Sequence, residues 1–173
     1  MENPFKFLRE AEWKALLANA QLKEFEPDDV ILEEGHKPGG IIVIRSGDVK
    51  VCRDHAGFRI ELSEAGPGEI FGEMSFIEAE PANASVIAKT KVQLLYVTHA
   101  QVQSIIRENP GFFGRFFQSL AYILSQRLRE TTGQVAGERG VVTAQRVDQS
   151  AQRRIRRRRT LQFADEPPLE IEL

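Results

Sequence analysis

One short stretch of the sequence carries residue types that could bind an anion. Gly72, Glu73, Met74 and Ser75 lie together in GEIFGEMSFIEAEPANASVIAKT, residues 68–90. A glycine lets the backbone approach a ligand closely, and the first turn of a helix has free N–H groups that attract negative charge. Gly72 and the N–H groups near Met74 and Ser75 suit that role. An ordinary turn with a solvated Glu73 is the alternative that this pair of residues leaves open.

The other reactive side chains form no pattern typical of catalysis or metal binding. His36, His55 and His99 are far apart, and none belongs to an H-x-H or H-x-x-x-H pair that could hold a metal ion. Cys52 is the only cysteine, which fits a reducing compartment. The sequence contains no nucleophile elbow and no phosphate-binding P-loop. We therefore expect no catalytic residue and no metal site, and we predict that the chain is not an enzyme.

An arginine cluster near the C-terminus is the second feature that could bind a partner. Such a cluster could contact an acidic protein, a nucleic acid or an anionic membrane through counterion release. A solvated tail is the alternative. The net charge is −2 although the cluster outweighs the acids that follow it, so the rest of the chain is acidic, which argues against a broad nucleic-acid surface. The predicted anion- or partner-binding residues are Arg153, Arg154, Arg156, Arg157, Arg158 and Arg159.

The elements that must position these residues follow from hydrophobic periodicity. Apolar residues at helical spacing predict an N-terminal helix over residues 4–18, with Asn3 as its cap. Short β-branched runs within residues 22–98, separated by turns that contain glycine, predict an all-β sandwich or rolled barrel. Helical periodicity then returns, and Pro110 separates two helices. The second, over residues 110–130, is rich in phenylalanine, and we expect most of these rings to pack in the core.

The chain is predicted to consist of one domain and a tail. Residues 1–130 form the domain, and residues 131–173 form a linker and an Arg-rich then acidic tail that is partly disordered. The apolar helix over residues 110–130 predicts a homodimer. No apolar run is long enough for a transmembrane segment, and the charged start does not fit a secretory signal, so we expect a cytoplasmic protein.

A more specific pattern lies in residues 71–86, which we call the cassette. Phe71-Gly72-Glu73-Met74-Ser75-Phe76-Ile77, followed by Pro81 and small residues up to Val86, resembles the phosphate-binding cassette of the cyclic-nucleotide-binding domain family. This family includes the ligand modules of catabolite activator protein and of protein kinase A regulatory subunits. The resemblance covers roughly residues 4–130. It implies a mainly β fold with flanking helices: a jelly-roll-like, cyclic-nucleotide-binding-type β-roll with an N-terminal helix and two C-terminal helices. Too few residues follow for the winged-helix DNA-binding domain of related transcription factors.

The resemblance also implies roles for individual cassette residues. Glu73 would accept a hydrogen bond from a ribose hydroxyl, and the residues after Pro81 would close the pocket. The predicted ligand-binding residues all belong to the cassette. They are Gly72, Glu73, Met74, Ser75, Asn83, Ala84 and Ser85. No cofactor is expected, and the implied ligand is cyclic AMP or cyclic GMP.

The sequence departs from the family pattern at Ala82, where an arginine normally pairs with the cyclic phosphate. Because a hydrogen bond to a charged group contributes about 1.5–3 kcal/mol, its loss predicts binding weakened by about 10- to 100-fold. Asn83, Arg59, Lys23 or an arginine of the tail could replace the missing group. Weakened cyclic-nucleotide binding, a different ligand and a pocket kept only as a scaffold are all open at this point.

Two functions of different classes follow. The first is a regulatory or adaptor module that senses a nucleotide-like anion through a degenerate cassette and signals through its C-terminal helix and tail. The second is a structural or interaction protein with a vestigial pocket, whose Arg-rich tail tethers a protein, nucleic-acid or membrane partner.

Overall fold

The computed structural model describes residues 2–137 and 144–146, and it confirms the predicted β-roll with flanking helices. The helices are α1 (Glu10–Asn19), α2 (Glu73–Glu78), α3 (His99–Glu108) and α4 (Pro110–Gly137). The strands are β1 (Gln21–Phe25), β2 (Val30–Leu32), β3 (Gly40–Ser46), β4 (Val49–His55), β5 (Phe58–Ala65), β6 (Ile70–Phe71), β7 (Ser85–Ala88), β8 (Val92–Thr98) and β9 (Ala144–Arg146).

The strands form two antiparallel sheets. The first has the order β1-β8-β3-β6 and the second the order β2-β7-β4-β5-β9. Since consecutive strands often lie in different sheets, the chain crosses repeatedly from one sheet to the other, which produces a rolled sandwich. The cassette runs from β6 in the first sheet, through α2, to β7 in the second.

Strand β3 explains why the molecule has two cores. Its residues Ile41, Ile42, Val43 and Ile44 are all buried, because side chains that alternate along a strand point to opposite faces of the sheet. Ile41 and Val43 pack in a cluster with α1, α3 and α4, whereas Ile42 and Ile44 pack in the cluster inside the roll. The first sheet therefore separates the helical layer from the interior of the roll.

The N-terminal helix is shorter than its apolar pattern predicts. Helix α1 begins at Glu10, with Arg9 as its N-cap, so the predicted start at residue 4 is wrong. The Asn3 side chain accepts a hydrogen bond from the Phe5 amide at 2.9 Å, which stabilises a local turn. The predicted cap residue thus forms a turn, and the apolar residues that follow it reach the core from outside the helix.

The two C-terminal helices lie as predicted, but the second is longer. A capping box begins α3, in which the Thr98 hydroxyl accepts from the Gln101 amide. Pro110 begins α4, which continues past residue 130 to Gly137. No helix in the described ranges is both long and apolar enough to cross a bilayer.

Candidate functional site

Gly72 makes the sharp turn that separates β6 from α2. Its φ is 83°, a conformation that side-chain-bearing residues rarely adopt, and a Cβ atom here would lie 2.7 Å from the carbonyl oxygen of Gly40. The turn therefore requires glycine for two reasons, backbone conformation and the close approach of β3. It places Glu73 in the first turn of α2, as the cassette resemblance implies.

The Glu73 carboxylate is buried and ion-paired. Its side chain is 5% exposed, and its Oε1 atom accepts a hydrogen bond from Nη1 of Arg127 at 2.5 Å. Burial raises the pKa of Glu73, and the positive charge of Arg127 opposes that rise. A carboxylate moved out of water is costly unless it is paired, so the contact with Arg127 offsets part of the cost of burying Glu73.

Arg127 belongs to α4 and makes three further contacts near the cassette. Its Nη2 group donates to Glu69 at 3.0 Å and to the carbonyl oxygen of Ile70. The guanidinium also lies 5.0 Å from the centre of the Phe71 ring, within range of a cation–π interaction. The Arg127 side chain thus joins α4 to β6, to the turn before it and to the Glu73 carboxylate.

A second contact, between the cassette and helices α3 and α4, is formed by aromatic rings. Phe76 of α2 is 2% exposed and packs against Phe116 and Phe117, with ring centres 5.6 and 6.2 Å away. Its other neighbour is His99 of α3, stacked at 4.1 Å with the two rings nearly parallel. Because Phe76 is packed against both helices, α2 cannot shift without changing the packing of α3 and α4.

The residues after α2 form the other half of the cassette. Asn83 is exposed, and its amide donates to the sulfur of Met74 at 3.7 Å. Ala84 is half-buried, and Ser85 is buried, with its hydroxyl accepting from the Glu34 amide at 3.0 Å. Ser85 therefore fixes the cassette to the turn after β2 as well as lying in the predicted pocket.

Ala82 lies in an apolar environment. It is 7% exposed and belongs to the cluster inside the roll, and its amide and carbonyl groups bond to His36 and Gly35. Of the groups proposed to replace the missing arginine, Arg59 is bound by Asp54 and Lys23 lies over the Tyr96 ring. The arginine cluster at residues 153–159 lies outside the described residues.

Arg127 is the functional candidate that sequence reasoning missed. The buried face of α4 includes Phe112, Phe116 and Leu120, and it continues through the partly buried Ile123. Arg127 occupies the next position on this face, four residues further along. A charged residue that continues an apolar stripe needs a buried partner, and this pattern could have identified it.

The predicted cassette residues are brought together by one turn, one short helix and the start of β7. The exposed side chains of Met74 and Asn83 lie on the same side of it, since they contact each other. Ser75 is buried. Whether this set contacts a ligand stays a prediction.

Comparison with known proteins confirms the predicted family resemblance. The family model described as "Cyclic nucleotide-binding domain" matches residues 22–109. The cyclic AMP receptor protein of Thermus thermophilus is 30% identical over 127 residues, which cover 73% of this chain and 57% of that protein. A cAMP-dependent protein kinase type II regulatory subunit of Drosophila melanogaster is 32% identical over 66 residues, 38% of this chain and 18% of that one.

Solved structures agree with the fold. The crystal structure of the Thermus thermophilus catabolite activator protein matches with a TM-score of 0.65 at 28% identity, over 77% of this chain and 61% of that chain. A cyclic nucleotide-binding domain from Methylobacillus flagellatus matches with a TM-score of 0.70 at 23% identity, over 77% and 76% of the two chains. The chain spans slightly more than half the length of the bacterial receptor protein that it matches.

Proposed function

Because the chain belongs to the cyclic nucleotide-binding domain family, we propose that it is a non-enzymatic regulatory module whose cassette binds a cyclic nucleotide weakly and whose helix α4 transmits the response. A cytoplasmic location is part of this proposal. The regulatory role is supported by the match over residues 22–109 and by the similarity to a cyclic AMP receptor protein.

The observation that carries the proposal is the ion pair between Glu73 and Arg127. Arg127 binds Oε1 of Glu73, and because a carboxylate has several acceptor sites, we propose that it also accepts a ribose hydroxyl. Arg127 would then act as a positioning residue that keeps Glu73 ionised and fixes its orientation. Since Arg127 lies on α4, ligand binding at Glu73 and the position of α4 would be linked.

Ala82 determines the strength of binding in this proposal. An alanine offers the ligand phosphate no charge, and its methyl group lies in the apolar cluster inside the roll. We expect affinity for cyclic AMP or cyclic GMP that is about 10- to 100-fold weaker than a pocket with a charged partner would give.

Calorimetry with cyclic AMP and cyclic GMP tests the proposal. We expect weak binding by the natural chain and at least about tenfold tighter binding by Ala82→Arg, because the guanidinium adds a charge-assisted hydrogen bond. Ala82→Met is the matched control, since it adds a long side chain without charge. Absence of heat and of a thermal shift at millimolar ligand, in both the natural chain and Ala82→Arg, would contradict the proposal.

A second candidate function is a structural or interaction protein with a vestigial pocket. The observation that favours it is an apolar seam on α4 that consists of Phe117, Ala121, Leu124 and Leu128, spaced four, three and four residues apart. Leu128 is 67% exposed. This spacing is typical of helices that pair along a coiled-coil seam, so we propose a homodimer through α4.

Sedimentation measurements test this homodimer. Leu128→Glu places a charge in the seam and should shift the chain to monomer, whereas Gln126→Glu, on an exposed position outside the seam, should not. A monomeric natural chain at high micromolar concentration would contradict the dimer. The partner of the arginine cluster at 153–159 stays a prediction, because these residues lie outside the described ranges.

A further inference from the structure

A three-residue strand that follows α4 pairs with the edge of the second sheet. Strand β9 lies antiparallel to β5, with Phe58 opposite Arg146, Arg59 opposite Gln145 and Ile60 opposite Ala144. Without β9, the outer backbone groups of these β5 residues would form an open sheet edge. Such edges present unpaired N–H and C=O groups that accept an additional strand.

The β4–β5 hairpin is well ordered to accept this strand. Arg59 and Asp54 are opposite each other in the β4–β5 ladder, and their side chains form two hydrogen bonds of 2.9 and 3.0 Å. Ala56 and Gly57, the two residues between the strands, have φ values of 51° and 82°, as in the tight hairpin turns that match strand twist. These contacts fix the register of the hairpin whose edge β9 joins.

The covalent connection between β9 and α4 is short. Helix α4 ends at Gly137 and β9 begins at Ala144, so six residues join them. Even a fully extended chain of this length spans only about 25 Å. A strand fixed on β5 thus limits how far the end of α4 can move from the roll.

We propose that residues 144–146 are a releasable latch, bound in cis to the edge of β5, that holds the C-terminal part of α4 near the roll. Three residues form a strand shorter than the average of five to six, so few backbone hydrogen bonds hold it and it can detach without unfolding of the domain. Movement of α4 beyond the slack of the connection requires that the latch detach.

Hydrogen–deuterium exchange of the full chain without ligand tests the latch, so the result does not depend on nucleotide binding. Adjacent residues of a strand direct their N–H groups to opposite sides. One of the N–H groups of residues 145 and 146 therefore faces β5. The double variant Gln145→Pro/Arg146→Pro removes both N–H groups and so always removes the one that bonds to β5. Gln145→Ala/Arg146→Ala keeps both N–H groups and is the matched control.

In the proline variant we expect the amides among residues 58–60 that face β9, and the amides of residues 128–137, to exchange about tenfold faster, while the amides of β3 keep their protection. The alanine variant should exchange like the natural chain. Unchanged exchange at 58–60 would mean that no latch forms. Faster exchange at 58–60 alone would mean that β9 only covers the edge and does not hold α4. Protection at 58–60 that falls on dilution would mean that β9 comes from a second copy. Each of these three results would overturn the proposal.

Discussion

Replacement of Arg127 by methionine removes the charge that α4 contributes to the cassette and keeps a long side chain against Phe71. The hydrogen bond to the buried Glu73 contributes about 1.5–3 kcal/mol. The bridge to Glu69, which is half-exposed, contributes about 0–1 kcal/mol, and the contact with Phe71 about 0.5–1 kcal/mol. We therefore expect the free energy of unfolding to fall by about 2–5 kcal/mol near neutral pH.

The cost of this substitution depends on pH in a direction that can be worked out. Burial already raises the pKa of Glu73 from 4.5, and loss of Arg127 raises it further. A group whose pKa is raised by folding favours the folded state below its unfolded pKa, and this contribution is lost as pH rises through the folded value. Arg127→Met should therefore cost little near pH 4 and most above the raised pKa of Glu73.

Urea unfolding at several pH values, followed by circular dichroism, measures this dependence. The control is the same substitution in a Glu73→Gln background, where the buried charge is absent. There Arg127→Met should cost less, and most of its pH dependence should disappear, because only the exposed bridge to Glu69 remains. An equal cost at pH 4 and pH 8, or an undiminished cost in the Glu73→Gln background, would refute the role assigned to the ion pair. In calorimetry, Arg127→Met should also weaken cyclic-nucleotide binding by about tenfold if Arg127 orients Glu73.

Three further predictions concern stability. The hydrogen bonds of Arg115 lower the pKa of Glu12 to about 2, so the ionised Glu12 stabilises the fold above its ordinary pKa and loses this effect as pH falls. Glu12→Gln should therefore cost about 2–3 kcal/mol at pH 7 and almost nothing near pH 2. A pH-independent cost in urea unfolding would contradict this. Gly72→Ala should cost at least about 1 kcal/mol more than Gly35→Ala, since both glycines have positive φ but only Gly72 would bring a Cβ against backbone; equal melting temperatures would disprove the close contact. Ala56→Asn should raise stability by about 0.5–1 kcal/mol, because asparagine tolerates the positive φ of this turn better than alanine; a lower melting temperature would show that another contact determines the turn.

The sequence predicts the roll well because its signals are local and repeated. Each short β-branched run becomes a strand. Gly72 is predicted to let the backbone approach a ligand, which stays a prediction, and the structure shows that it also approaches the backbone of Gly40. The predicted start of α1 at residue 4 is wrong, because the Asn3 side chain forms a local turn instead of capping a helix. The β5–β9 pairing joins segments about 86 residues apart, a contact that no local pattern specifies.

The chemistry of the candidate site is only half predictable for the same reason. Glu73 follows from the cassette pattern, but its partner Arg127 lies 54 residues away on another helix. Periodicity places Arg127 on the buried face of α4, yet only the folded chain brings that face to Glu73. Arg59 and Lys23 are two candidates from the sequence to replace the arginine missing at position 82, and in the structure Arg59 pairs with Asp54 and Lys23 lies over the Tyr96 ring.

The length of α4 gives the domain a mechanical property. The helix is held by Leu120 in the core and by Arg127 at Glu73, and it extends 10 residues beyond Arg127 to Gly137. At 1.5 Å per residue this arm is about 15 Å long, so a tilt of about 10° at Arg127 would displace its tip by about 3 Å. A small rotation of the helix would thus become a larger displacement near Gly137, which a pair of fluorophores, one on the roll and one near Gly137, would register as a change in energy transfer.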